Sequence, residues 1–160
     1  MMTLFLVQHG KAKPETEDPE RSLTEQGAEV VGRMADWAAQ VGMAVDQIQH
    51  SGKKRAEQTA TIFAKRLSPP TGVIAVKGLS PKDDVKPVAA SLRSDQGSIM
   101  LAGHLPHLSR LVSLLLTGNP EIEVVGFRNA GIVCLTQPDG KWAVDWVMQP
   151  DLLWEAGQGD

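Results

Sequence analysis

The stretch Leu4-Phe5-Leu6-Val7-Gln8-His9-Gly10 decides the fold, because four consecutive apolar residues run without a break into a Gln-His-Gly triplet. A short continuous apolar run is the pattern of a strand buried on both faces, hence of a sheet covered above and below by other layers. Polar residues at the carboxyl end of such a strand stand where sheets of this kind bind ligands.

The same grammar recurs along the chain. Ile99-Met100-Leu101-Ala102 is a second apolar run, ending at Gly103-His104, and Val45 to His50 and Val73 to Val76 are weaker strand candidates. Helices are expected between them. Thr24 is suited to cap a helix in which Val30, Val31, Met34, Trp37, Ala38 and Val41 recur at helical spacing before Gly42. Ala56, Ala60, Phe63 and Leu67 mark a second helix after Ser51-Gly52. Val85, Val88, Ala89 and Leu92 mark a third, with Asp83 and Asp84 near its positive end. Pro106 stands where a first-turn proline opens a fourth, which carries Leu108, Leu111, Val112 and Leu115. Lys11 to Arg21, with Pro14, Pro19 and no periodicity, reads as a loop. Gly131 to Thr136 and Trp142 to Val147 flank Pro138-Asp139-Gly140 as a hairpin.

The expected class is therefore α/β: a three-layer α/β/α arrangement with a mainly parallel central sheet and a C-terminal antiparallel hairpin. A chain of 160 residues, 42% apolar, suits one domain over 1–160 with its core at about 3–153 and a frayed tail from Trp154 to Asp160. A net charge of -3, four Trp, three Phe and no Tyr supply neither the basic surface nor the stacking platforms of a nucleic-acid binder. The lone Cys134, inside Ile132-Val133-Cys134-Leu135, reads as a buried strand residue rather than a nucleophile. With no signal-peptide pattern and no apolar run near the ~20 residues of a membrane helix, the expectation is a cytoplasmic protein that does not engage membranes.

Three expected strand ends carry groups suited to one anion: Gln8-His9-Gly10, Ser51 to Arg55, and Gly103-His104. Neutral imidazole is a good nucleophile near pH 7, and the lone pair of His9 would be aimed if its other ring nitrogen donated to a backbone carbonyl. Gly10 would let the chain turn close beside a ligand. Arg55 falls in the first turn of a helix, where the dipole already favours an anion and a planar guanidinium matches phosphate oxygens. His104 precedes another helix with the same bias. Each has a plainer alternative: a structural imidazole at His9, a solvated charge in Lys53-Lys54-Arg55 and a helix-capping imidazole at His104, while His50 reads as structural or exposed. His107, three residues beyond His104, has no carboxylate or cysteine companion at ligand spacing, so no metal site is expected.

Gln8-His9-Gly10 resembles the Arg-His-Gly signature of the histidine phosphatase superfamily, which also includes cofactor-dependent phosphoglycerate mutases. Ser51-Gly-Lys-Lys-Arg55-Ala56-Glu57-Gln58-Thr59-Ala60 is similar to its second motif, Gly103-His104-Leu105-Pro106 to its third, and Arg21-Ser22-Leu23-Thr24 with Gly27 to the segment before its first helix. The length and the Arg-Ala-Glu-Gln-Thr and His-Leu-Pro stretches most resemble the SixA-type phosphohistidine phosphatases. This resemblance, spanning Leu4 to about Leu153, implies a two-step hydrolysis without metal or cofactor. His9 would be phosphorylated and water would then release inorganic phosphate, with Arg55 and His104 holding the phosphoryl group. The implied partner is a phosphorylated protein, such as a phosphotransfer domain or another phosphohistidine carrier.

Gln8 departs from the pattern, since the family's arginine is replaced by an amide that donates hydrogen bonds but no charge. Charged hydrogen bonds are worth about 1.5–3 kcal/mol against roughly 1 for neutral ones, a difference on the order of tenfold in rate. Gln8, Gly10, Arg21 and Lys11 are expected to contact substrate, with Lys11 or Arg21 partly restoring the missing charge. A general acid is weakly signalled, since only Asp83 and Asp84 lie on the loop after the third strand. A phosphoramidate needs less acid help than an ester, because its imidazole leaving group is readily protonated near pH 7. Two other readings stand beside this one: a phospho-ligand-binding regulator without turnover, and a phosphatase acting on small phosphate esters.

Overall fold

Alternation along the first strand, β1 (Thr3–Gln8), creates two cores. In a computed structural model that describes residues 2–153, Phe5 and Val7 face one side of the sheet and Leu4 and Leu6 the other. The strand β4 (Ser98–Gly103) divides likewise, Met100 and Ala102 against Ile99 and Leu101, and β5 (Ile132–Thr136) sends Ile132 and Cys134 one way and Val133 and Leu135 the other. Over the first face lie α1 (Glu25–Gln40), through Val31, Met34, Ala35 and Ala38, and α2 (Lys54–Leu67), through Ala60 and Phe63. Over the second lie α3 (Lys86–Ser91), through Val88, and α4 (His107–Thr117), through Leu108, Leu111 and Val112. The unbroken apolar runs of β1 and β4 thus arise because both faces are covered.

With β2 (Gln47–His50), β3 (Val73–Ala75) and β6 (Ala143–Met148), the six-stranded sheet has the order β3-β2-β4-β1-β5-β6. The pairs β2–β3, β2–β4 and β1–β4 are parallel, whereas β5 runs antiparallel to β1 and β6 antiparallel to β5, with a bulge between Cys134 and Leu135. The three-layer, mainly parallel architecture with a terminal hairpin is therefore present. Register brings the site together: Gln8 pairs with Gly103 and His50 with Ala102, so β1, β4 and β2 end level and side by side. Because β5 is antiparallel, the segment leading into it comes to the same edge.

Several boundaries differ from the sequence reading. Val45 is core but precedes β2, which starts at Gln47, while edge strand β3 is short and leaves Ile74 and Ala75 exposed. Pro106 caps α4 from outside, and the helix begins at His107. Thr24 caps α1 as expected, its hydroxyl accepting from the Gly27 N–H at 2.8 Å. No helix among the described residues is long and apolar enough to cross a membrane. The tail from Trp154 to Asp160 lies outside the described residues.

Candidate active site

His9 follows β1, Ser51 follows β2 and His104 follows β4, so three neighbouring strand ends each deliver one polar group. The His9 N–H donates to the Gly103 carbonyl at 3.0 Å, carrying the β1–β4 ladder one residue past the strand. Its ring Nδ1 lies 2.7 Å from the Gly10 carbonyl. A carbonyl oxygen only accepts, so Nδ1 carries the proton and Nε2 keeps its lone pair. Burial pushes the His9 pKa down to about 4; the bond to Gly10 opposes this, and the charges of Arg55 and Arg21 add to it. His9 is accordingly neutral at pH 7.

Gly10 is required by packing. A Cβ there would sit 2.6 Å from Val31 Cγ2 and 3.1 Å from the Gly27 carbonyl, so a side chain would push the loop off α1. The Gly10 N–H donates to Thr59 Oγ1 at 3.0 Å, and that hydroxyl donates to the Arg55 carbonyl at 2.8 Å. Gln58 Oε1 holds the Leu23 N–H at 2.7 Å. Helix α2 therefore braces both the loop after β1 and the segment before α1, which explains why polar residues recur on its site-facing side.

Arg55 lies in the first turn of α2, with its Nε buried and without a hydrogen-bond partner in the protein. Burial first, then the charge of Arg21, depresses its pKa. His104 is 1% exposed; its Nε2 stands 2.6 Å from Ser51 Oγ, and its Nδ1 is buried without a partner. Burial pushes its pKa down to about 3, helped by His9, Arg55, Lys53 and His107. The rings of His9 and His104 are 5.2 Å apart between centroids. Gln8 Oε1 is a third buried polar atom without a partner, while the Gln8 carbonyl accepts from the Ala130 N–H at 2.8 Å.

The other expected contact residues divide. Arg21, in the left-handed region at φ 53°, donates Nε to the Lys13 carbonyl at 3.0 Å and lies close enough for its charge to act on His9 and Arg55. It lines a cleft of about 650 Å³ with Lys53, Lys54 and Arg55. Lys11 is exposed and engaged through its backbone, its carbonyl accepting from the Thr24 N–H at 2.9 Å. Asp83 and Asp84 both hold local turns, accepting from the Ser80 and Lys86 N–H groups at 3.0 Å.

Of the two readings of His50, structural or exposed, the structural one holds: it is 5% exposed and its Nδ1 accepts from the Gly52 N–H at 3.0 Å, shaping the turn that presents Ser51. His107 opens α4 while His104 precedes it, so the two do not share a helix face, and His107 is fully buried with neither ring nitrogen hydrogen-bonded. Cys134 is 1% exposed, and burial, then Asp145, pushes its thiol up to about 12. It stays protonated, as a core residue should.

Three contacts were not foreseen from the sequence: Ser51 on His104, Thr59 on Gly10, and Asn129, whose Nδ2 donates to the His9 carbonyl at 2.8 Å from 120 residues away. Asn129-Ala130-Gly131 carries a turn signal, but no local pattern ties a turn to a strand so distant.

No family model matches the chain. The phosphohistidine phosphatase SixA of Escherichia coli K12 is 29% identical over 156 residues, covering 93% of this chain and 94% of that protein. A solved structure of the protein histidine phosphatase SixA complexed with tungstate superposes with a TM-score of 0.84 at 28% identity, covering 96% of this chain and all of the other. A phosphoserine phosphatase from Entamoeba histolytica, solved with 3-phosphoglyceric acid, shares the fold at a TM-score of 0.71 and 16% identity, covering 93% and 98% of the two chains. With the likeness running along almost the whole of both chains in sequence and in fold, this chain is a homologue of the SixA phosphohistidine phosphatase.

Proposed function

We propose that the protein is a phosphatase that removes phosphoryl groups from histidine on another protein, with His9 as the covalent acceptor. The observation that carries this reading is the Nδ1–H of His9 held on the Gly10 carbonyl, which leaves Nε2 as the nucleophilic atom of a neutral ring. In the first step Nε2 attacks phosphorus, the P–N bond to the substrate imidazole breaks, and that imidazole takes up a proton from solvent water as it leaves. In the second, water attacks the phosphoryl-His9, its proton is released, and inorganic phosphate departs with His9 regenerated.

The transferring oxygens need positive charge and donors. Arg55 offers a buried, unpartnered Nε on a half-buried side chain, and Arg21 adds a second cation. Ser51 Oγ already accepts from the Lys53 N–H at 3.3 Å, which suits its own hydrogen to His104 Nε2. His104 Nδ1 is then the protonated atom, without a protein partner and able to donate to a phosphoryl oxygen. Tungstate, the ligand in the SixA structure, is a tetrahedral oxyanion like phosphate, and this set of donors suits one. Arg21, rather than the exposed Lys11, is the charge that stands in for the arginine missing at position 8.

The preference for phosphohistidine over an ester rests on the leaving group. Asp83 and Asp84 are held in turns, and an imidazole departs with less acid help than an alkoxide. The partner in this reading is a phosphotransfer domain or similar carrier, and the working compartment is the cytoplasm, where a protein with one unpaired cysteine is at home. A regulator that binds phosphoproteins without turnover is favoured by one observation, the uncharged Gln8. The deciding experiment measures phosphate release from a phosphohistidine-bearing phosphotransfer domain, with and without EDTA, for wild type and His9→Ala. Turnover that survives EDTA and vanishes in His9→Ala is expected; binding without turnover by the wild type would establish the regulator instead.

A further inference from the structure

We propose that Thr59 and Asn129 are positioning residues that clamp one peptide plane, the unit joining His9 to Gly10, and through it set the tautomer and aim of the His9 ring. The inference rests on the reading of His9 as the nucleophile and adds what holds it in a reactive pose.

Both polar atoms of that plane are gripped, from opposite sides of the chain. Its carbonyl, that of His9, accepts from Asn129 Nδ2 at 2.8 Å, and its N–H, that of Gly10, donates to Thr59 Oγ1 at 3.0 Å. The preceding N–H is tied to Gly103 at 3.0 Å, so the plane cannot turn as part of a larger loop movement. The next carbonyl, that of Gly10, is the acceptor for His9 Nδ1, so its direction follows from the clamped plane. Rotating that plane would carry the Gly10 carbonyl away from Nδ1 and release the ring to the other tautomer, in which Nε2 bears the proton and has no lone pair to offer.

The two clamps are themselves constrained. Thr59 is fully buried, and its hydroxyl also donates to the Arg55 carbonyl at 2.8 Å, so one oxygen sets the spacing between the nucleophile's backbone and that of the cation. Asn129 belongs to a turn closed by the Gly131 N–H on the Arg128 carbonyl at 2.9 Å. That turn places Ala130, fully buried, at φ 66° and docks its N–H on the Gln8 carbonyl at 2.8 Å. An L-residue in the left-handed region costs on the order of 1–2 kcal/mol, a strain that persists only where surrounding contacts enforce it. Here the strained turn is the one that delivers the Asn129 amide to His9.

The test uses the full-length protein with Asn129→Ala, Thr59→Val and Thr59→Ser. Two readouts are taken on each: kcat and KM for release of phosphate from a phosphohistidine-bearing phosphotransfer domain, and the ¹⁵N NMR shifts of the His9 imidazole at pH 7, which report the tautomer. A misplaced reacting group lowers rate by on the order of tenfold to a hundredfold, so Asn129→Ala and Thr59→Val are expected to lose that much kcat with KM unchanged. The His9 signal should move toward the Nε2–H tautomer in both, and Thr59→Ser, which keeps the hydroxyl, should restore both readouts. Either readout moving without the other, or neither moving, overturns the clamp. If Thr59→Val does not fold, Asn129→Ala, an exposed position, decides alone. If the wild type turns over no phosphohistidine, the functional reading fails, and the tautomer shift still decides whether the clamp exists.

Discussion

The two ends of the β4 and β2 strands, a few residues apart, are built on opposite terms. At the amino end Asp46, Ser98 and Thr71 satisfy one another: the Ser98 N–H donates to Asp46 Oδ2 at 2.9 Å, the Asp46 N–H to the Ser98 carbonyl at 2.9 Å, Ser98 Oγ to the Ala44 carbonyl at 2.8 Å and Thr71 Oγ1 to the Asp46 carbonyl at 2.6 Å. At the carboxyl end, joined there by β1, Gln8 Oε1, Arg55 Nε and His104 Nδ1 are buried with no partner within the protein. A buried polar group left unpaired costs about 1–3 kcal/mol, so these three atoms cost the fold stability, as do the unpartnered atoms of His107, Ser113 and Gln149 among the described residues. The amino end satisfies its own polar groups; the carboxyl end leaves polar atoms that the protein itself does not pair.

Arg55→Ala probes this contrast with the largest expected effect. Removing a preorganised cation from a developing anion loses on the order of 10²–10³ in kcat, measured as phosphate release from a phosphohistidine carrier, while thermal stability should hold or rise because a desolvated cation has gone. A drop in stability with little change in kcat would show that Arg55 serves the fold.

Gln8→Arg sharpens it in the other direction. Exchanging a neutral for a charged donor should raise kcat/KM by about tenfold. In an Arg21→Ala background the gain should be larger, because Arg21 then no longer supplies the second charge, whereas Lys11→Ala should leave the gain as it was. Equal gains in all three backgrounds would remove Arg21 from the site.

Acid should unfasten the two ends unequally. His9 and His104 have folded pKa values of about 4 and about 3 against 6.5 for the free group. The unfolded chain therefore binds more protons below 6.5, and the stability associated with these rings is complete above pH 6.5 and lost as pH falls through about 4 for His9 and about 3 for His104. His50 and His107 are shifted in the same direction. The depressed carboxyls of Asp18 and Asp151 act below 3.8, outside the interval from pH 4.5 to 7. Urea midpoints at pH 7 and pH 4.5 should differ, and His104→Gln should reduce the difference; an unchanged slope would mean that the imidazole is not held neutral by burial.

Asp46→Ala, at the closed end, carries the smallest expected effect. Losing exposed hydrogen bonds should cost about 1 kcal/mol in urea unfolding and leave kcat/KM unchanged, and a change in kcat/KM would show that the two ends are coupled through the strands.

Much of the fold was legible because burial writes itself into composition. The apolar runs at β1 and β4, the helical spacing in α1, α2 and α4 and the Thr24 cap all reflect local rules that act within a few residues. Val45 and Val76 misled for the same reason, since an apolar residue next to a strand looks like one inside it until its pairing partners are in place. In the candidate site, His9, Arg55 and His104 announced themselves by standing after apolar runs or at a helix start. Thr59 and Asn129 did not, because a hydroxyl on a helix or an amide in a turn is ordinary until a distant partner meets it.

The sequence by itself determined the layers, the strand ends and the residue types available there, since periodicity and capping depend on the chain's own neighbours. Only the tertiary structure decided that β2, β4 and β1 lie side by side with their ends level, that His9 holds its proton on Nδ1 and keeps Nε2 free, and that a turn 120 residues away grips its carbonyl. Those are matters of strand order, register and angles between groups far apart in the chain, and such long-range geometry leaves no local trace in the residues that produce it.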